Sequence, residues 1–277
     1  MRTAIVTDST ADIPIELAQK HQIEVVPAIV VIAGRSMEDG KDLSRQKFYE
    51  QLPTMAIPPT TATPSIGTFE NLYEQLLGQG FENIISIHVS SLLSGIYSTA
   101  QTAAQSFKDR ITVIDSEQLS LGLGFQALTA AETVTAGLSI ENAIAKINDV
   151  RQRLRVIAML DTLEYVRRSG RVSWARARIG TLLRIKPFVE IKNGKVHSLG
   201  QARTRKKGIV HLVNLIQQLG SLEKFALLHT NAADEAHQIW ESLKINTSQP
   251  PLIVNVTTVV GTHVGPNGLG FAAVVKE

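Results

Sequence analysis

No cysteine occurs in the chain, which excludes a disulfide framework, a thiol nucleophile and Cys-based zinc sites, and agrees with a reducing compartment. Long hydrophobic runs are missing too. Nowhere do about 18 consecutive apolar residues appear, so no segment reads as a membrane-spanning helix. The N-terminus, MRTAIVTDST, meets Asp8 directly after a short apolar run and lacks the apolar core and small-residue cleavage site of a secretory signal. A cytoplasmic protein is the expectation. Nucleotide signatures are also absent. There is no G-x-x-x-x-G-K-[ST] loop and no G-x-G-x-x-G after a strand, although Gly122 and Gly124 have a superficially similar spacing.

What is present is the composition of an ordinary globular chain, 44% hydrophobic and 19% charged, which argues for folding and against disorder. A length of 277 residues gives a prior of two domains, at roughly 150 residues each. The net charge of +3 is unevenly spread. Residues 1–160 carry 12 Lys+Arg against 17 Asp+Glu, residues 161–277 carry 16 against 8, and between Arg167 and Lys207 there are 13 basic residues and only Glu190. Either an anionic ligand or partner meets this block, or it is a solvated basic face. Nucleic acid is disfavoured, because only Trp174 and Phe188 interleave aromatics with the charges.

Apolar runs alternate with amphipathic stretches through the first 160 residues, the pattern of βα units feeding a parallel sheet. Strands are expected at 3–6, 23–27 with 29–32, 84–89, 111–115 and 156–160. Helices are expected after Pro14, from a Thr63 cap to about Leu77, from about Gly95 to Phe107, at 121–135, and at 140–154 behind a Ser139 cap. From Asp161 the pattern changes. A short helix ends at Gly170, a second runs from a Ser173 cap to about Arg184, and Asn193-Gly194 marks a type I′ hairpin. Helices at 207–219 and 232–243 and strands at 224–228, 252–256 and 271–275 complete the chain. The fold class is therefore α/β in two domains: residues 1–160 with a mainly parallel sheet flanked by helices, and residues 161–277 as a smaller mixed α/β domain with an antiparallel hairpin.

Three stretches carry polar chemistry. Thr60-Thr61-Ala62-Thr63-Pro64-Ser65 places hydroxyls at a helix entrance, where free N–H groups and the helix dipole favour an anion. Capping by Thr63 is the simpler reading and leaves Thr61 unexplained. Ser90 to Tyr97 follows a strand, at the carboxyl end of the sheet where ligands of open α/β folds bind. A nucleophilic Ser94 working with a distant His263 is the alternative, but Leu92 and Ile96 replace the glycines of a G-x-S-x-G elbow. The third is Gly261-Thr262-His263-Val264-Gly265-Pro266-Asn267-Gly268-Leu269-Gly270, read as a loop that exposes the His263 imidazole. No second ligand lies at metal-binding spacing.

These stretches, together with Asp8 to Asp12, Asp39-Gly40-Lys41-Asp42, Ile114-Asp115-Ser116, Asp161 to Val172 and Arg203 to Lys207, occur in an order that resembles the DegV family of bacterial fatty-acid-binding proteins. The resemblance implies a long-chain fatty acid, such as palmitate, lying between two α/β domains. It implies a carboxylate held by Thr61 and Ser94 with His263 nearby, and no cofactor or metal. It further implies a role in fatty acid metabolism or lipid transport as the non-catalytic subunit of a fatty acid kinase. The partner would be a separate ATP-dependent subunit like dihydroxyacetone kinase. Arg171, Arg203 and Arg205 fall in family-like stretches and are the candidates for partner or phosphate contact. Transient contact with a membrane would serve lipid exchange.

Overall fold

The computed structural model describes residues 2–172, 185–245, 247 and 249–276. They form two compact units that do not follow the contiguous halves expected from the sequence. One unit takes the chain up to Ile29, Ala62–Arg153 and Asn193–Lys195; the other takes Val30–Thr61, Leu154–Lys192 and the chain from Val196. The second unit is therefore not the smaller one. The reason is a set of bonds made across more than 200 residues of sequence: Tyr49 Oη donates to the Val256 carbonyl at 2.9 Å, and Thr258 donates to Asp39 from its N–H at 3.1 Å and its hydroxyl at 2.5 Å.

The first unit is built on a wholly parallel sheet in the order β2-β1-β6-β7, with β1 at Thr3–Asp8, β2 at Ile23–Val26, β6 at Asn83–His88 and β7 at Ile111–Asp115. Register pairs Val6 with Ser86, so by strand alternation Asp8, Ser86 and His88 share one face. Helix α3 (Ile66–Gly78) brings Phe69 and Tyr73 to that face, while α1 spans Ile15–Lys20 and α4 spans Ile96–Ala104. Helix α5 (Leu121–Thr135) lies against β1 and β6 and is covered by α6 (Ile140–Arg153). Sandwiched in this way it is buried round most of its circumference, as a helix apolar on all sides must be. Its bounds are those expected. The cap of α3 is not. Ser65, and not Thr63, accepts the Thr68 N–H at 3.1 Å, which leaves Thr63 free to lie against Gly95.

In the second unit a six-stranded sheet has the order β10-β9-β8-β13-β11-β12. Its members are β8 (Leu154–Met159), β9 (Lys186–Lys192), β10 (Lys195–Ala202), β11 (Leu222–His229), β12 (Leu252–Asn255) and β13 (Leu269–Val275). Strands β11 and β12 run parallel, and β13 runs antiparallel to both β8 and β11. Flanked on both edges, β13 is buried along nearly all its length. Asn193 and Gly194 have φ of 50° and 73°, both positive as a type I′ turn requires. Phe188, Leu212, Ile216, Phe225 and Phe271 close the core, each contributing about 1.5–3 kcal/mol by burial. Helices α7 (Glu164–Ser169), α8 (Arg205–Gln217), α9 (Ala233–Ser242) and α10 (Thr258–Val264) belong here, with α2 (Arg45–Gln51) and a small sheet ordered β4-β3-β5. That sheet consists of β3 (Ile29–Ile32), β4 (Arg35–Glu38) and β5 (Thr60–Ala62). The helix expected at 173–184 lies outside the described residues.

Candidate functional site

Thr61 sits on β5 and His263 in the last turn of α10, and Thr61 Oγ1 lies 3.0 Å from His263 Nε2. The glycine-rich stretch is thus not a loop that exposes the imidazole. Gly261 is helical, and a Cβ there would stand 2.3 Å from Tyr49 Oη, so the glycine is needed for close packing of α10 on Tyr49. Gly265 ends the helix with φ of 78°, a conformation that suits glycine. Asp39, part of a family-like stretch to which no site role was given, accepts both bonds from Thr258 at the first turn of α10 and is itself buried.

Burial, and secondarily the Arg171 charge, push the His263 imidazole down to about 4, so it is neutral near pH 7. Its Nδ1 is buried without a hydrogen-bond partner among the described residues. A buried N–H without an acceptor is the rarer and costlier arrangement. The proton therefore belongs on Nε2, where it is donated to Thr61 Oγ1. The Thr61 hydroxyl hydrogen is then left to donate to something else. This arrangement supplies a fixed, neutral donor suited to an anionic oxygen.

Ser94 belongs to the first unit, in the turn that follows β6. The turn is held by Ser94 N–H to the Ser90 carbonyl at 3.1 Å, Ser90 Oγ to the Gly194 carbonyl at 2.8 Å, and Ser91 N–H to Asp115 Oδ2 at 3.2 Å. Ser94 Oγ accepts the Ile96 N–H at 3.4 Å at the start of α4, and its own O–H remains available as a donor. A Cβ on Gly95 would stand 3.2 Å from the Thr63 methyl. Glycine therefore lets the 63–65 segment close on this turn.

Beneath the turn runs a fully buried chain. Tyr73 Oη lies 2.8 Å from Ser86 Oγ, Ser86 Oγ 2.7 Å from His88 Nε2, and His88 Nδ1 3.0 Å from Asp8 Oδ2. Asp8 Oδ2 also accepts the Val89 N–H at 3.1 Å, fixing the exit of β6 into the serine turn. Desolvation raises Tyr73 to about 12. With all four side chains sealed from solvent, this serine, histidine and aspartate act as a scaffold. In the sequence Asp8 falls in a polar turn and family-like stretch beyond the expected strand 3–6, and His88 in the strand 84–89, with nothing local to pair them.

The three arginines differ. Arg205 is consumed internally: it grips both Glu235 oxygens, contacts Asp161 Oδ1 at 3.2 Å and donates to the Asn267 carbonyl at 2.7 Å. Its charge is therefore already shared with Glu235 and Asp161. Arg171 is exposed, with its guanidinium on the Ser169 carbonyl at 2.6 Å. Arg203 is exposed and has no ion pair among the described residues. Among those residues no group of carboxylates and histidines could hold a metal, and no helix is long and apolar enough to cross a membrane.

A family model described as "Uncharacterised protein, DegV family" matches residues 2–276. This chain belongs to the DegV family. It is 37% identical over 278 residues to Protein DegV of Bacillus subtilis (strain 168), covering 98% of each chain. Among solved structures it is similar to a DegV-family protein from Thermus thermophilus described for its fatty acid binding, with a TM-score of 0.91, 30% identity and full coverage of both chains. It also resembles DegV from Bacillus subtilis, described as a fatty acid binding protein, with a TM-score of 0.87, 35% identity and full coverage of both. The α/β architecture expected from the sequence is thus the architecture of DegV proteins.

Proposed function

We propose that this DegV-family chain binds a long-chain fatty acid by its carboxylate, with Thr61 and Ser94 as donors and His263 setting the direction of the Thr61 hydroxyl. The observation that carries the reading is the Thr61–His263 pair, in which a half-buried neutral imidazole with a sealed Nδ1 leaves the threonine O–H to donate elsewhere. Relatives of similar fold described as fatty acid binding proteins support the ligand class. Burial of an alkyl chain of some 14 methylenes is worth roughly 11 kcal/mol before ordering costs, at about 0.8 kcal/mol each, so the head group needs only modest hydrogen bonding. Neutral donors also leave the carboxylate reactive. A tight ion pair would stabilise the ground state.

From this follows the rest of the reading: a cytoplasmic, non-catalytic carrier in fatty acid metabolism or lipid transport. It presents its ligand to a separate ATP-dependent kinase subunit for acyl phosphate formation and touches membranes transiently to exchange lipid. Exposed Arg171 and Arg203 are the contacts available to such a partner. Mass spectrometry of lipid extracted from the purified chain tests the ligand. A bound C14 to C18 fatty acid is expected; an empty protein that takes up neither palmitate nor oleate overturns the reading.

A further inference from the structure

A cleft lies wholly inside the second unit, with a volume of about 480 Å³, and is lined by Gln46, His229, Asn231, Asp234, Glu235 and Asn255 among others. It opens where the carboxyl ends of the parallel strands β11 and β12 meet the N-terminus of α9. Such crevices beyond the ends of parallel strands are where open α/β folds place ligands. None of Thr61, Ser94 and His263 lines this cleft.

Several of its donors are open. The N-cap of α9 is Ala232, which offers no side-chain cap, and alanine is among the poorest residues for that position. The N–H groups of Ala233, Asp234 and Glu235 have no acceptor among the described residues, so they remain open to a ligand. Beside them His229 is 94% buried, with a relative exposure of 6%. Its Nδ1 accepts the Ala232 N–H at 3.2 Å. Burial first, then the charges of His237 and Arg45, push the ring down to about 4. Being neutral with Nδ1 engaged as acceptor, the ring carries its proton on Nε2. Among the described residues the only hydrogen bond of the ring is the one at Nδ1, so Nε2–H is open on a side chain that lines the cleft.

Two of the acceptor residues on the walls are engaged. Asn255 Oδ1 takes the Asn231 N–H at 3.1 Å, and the Asn255 carbonyl is held by Arg45. Glu235 is neutralised by Arg205. Asp234 is the remaining carboxylate in the lining, and it is exposed.

We propose that this cleft binds a small oxyanion of the phosphate class, held by the backbone N–H groups of Ala233, Asp234 and Glu235 and by His229 Nε2–H. Phosphate alone would leave most of the volume unfilled, so the same chemistry fits a free anion or the phosphate end of a small monoester. The proposal stands apart from fatty acid binding, since it shares no residue with Thr61, Ser94 or His263.

The test is a titration of the full chain with inorganic phosphate and, separately, with glycerol 3-phosphate, followed by amide NMR. Saturable shifts are expected at Ala233, Asp234, Glu235 and the His229 ring N–H. Two isosteric variants keep the test independent of folding. Removing the rim charge by Asp234→Asn is expected to tighten binding about threefold, and adding one by Asn255→Asp to weaken it about tenfold. Equal affinities for the two probes identify a free anion as the ligand, and a tighter monoester identifies an ester. The absence of saturable shifts overturns the proposal, as do affinities unchanged by both variants or shifts centred on Arg171 and Arg203.

Discussion

Thr61 and His263 are 202 residues apart in sequence and 3.0 Å apart in space, and the pair is the only use the imidazole makes of a hydrogen bond among the described residues. Its geometry makes the histidine a positioning group. A ring that kept its proton on the sealed Nδ1 would pay for an unpaired donor and would leave Thr61 to donate into the ring.

Acid should weaken the fold through the same ring. The folded His263 value of about 4 lies below the ordinary 6.5, so the unfolded chain binds more protons between these values. Stability is then fully present above pH 6.5 and falls as pH drops towards 4. A loss of about 1 to 3 kcal/mol across that window is expected from this group. Urea unfolding of wild type and His263→Asn at pH 7 and pH 4.5 measures it; the variant should show the shallower dependence, with His229 contributing in the same direction in both.

Gly261→Ala should damage the site without touching a ligand. The added Cβ meets Tyr49 Oη at 2.3 Å and two ring carbons at 2.6 Å, and overpacking of this kind costs typically about 1–3 kcal/mol. Because α10 must shift to relieve it, weaker palmitate binding should accompany the lower denaturation midpoint. Wild-type values for both would show that α10 is not packed as described.

Ser86→Ala interrupts the sealed chain at its centre, stranding Tyr73 Oη and His88 Nε2 together. About 1–3 kcal/mol of stability should be lost for each group left unsatisfied. Thermal unfolding checks this, and a change within 0.5 kcal/mol would be the behaviour of an ordinary surface position.

Arg203 and Arg205 should separate cleanly. Arg205→Ala leaves Glu235 and Asp161 without their shared cation and should lower stability. Arg203→Ala should leave stability and fatty acid binding intact while slowing acyl phosphate formation by a cognate kinase subunit, most of all at low salt. Equal rates for wild type and Arg203→Ala across a salt series would make the basic block a solvated face.

Local signals were readable wherever the determining atoms lie close in sequence. Asn193-Gly194 announced its turn, the apolar run of α5 announced its own limits, and Gly170 stopped α7 with φ of 72°. Other signals were ambiguous because their causes are distant. Gly261 reads as loop chemistry until Tyr49 is seen against it, and Arg205 reads as one charge in a run until Glu235, 30 residues away, is seen to bind it. The placement of 30–61 with the second unit rests on Tyr49 and Asp39 meeting partners 207 and 219 residues away. No local periodicity carries such information. Thr61, Ser94 and His263 were named from family-like stretches, and the Thr61–His263 contact gives two of them a shared physical purpose.

The most direct measurement is the 13C carboxyl resonance of [1-13C]palmitate bound to wild type and to Thr61→Val. The substitution keeps shape and removes one hydroxyl. In the wild type a single sharp resonance, resistant to titration down to pH 5, is expected for a carboxylate held by fixed donors. In Thr61→Val that resonance should shift, and affinity should fall by about 1.5–3 kcal/mol, the worth of a hydrogen bond to a charged group. An identical resonance and affinity in a correctly folded variant would contradict the assignment of Thr61 to the carboxylate.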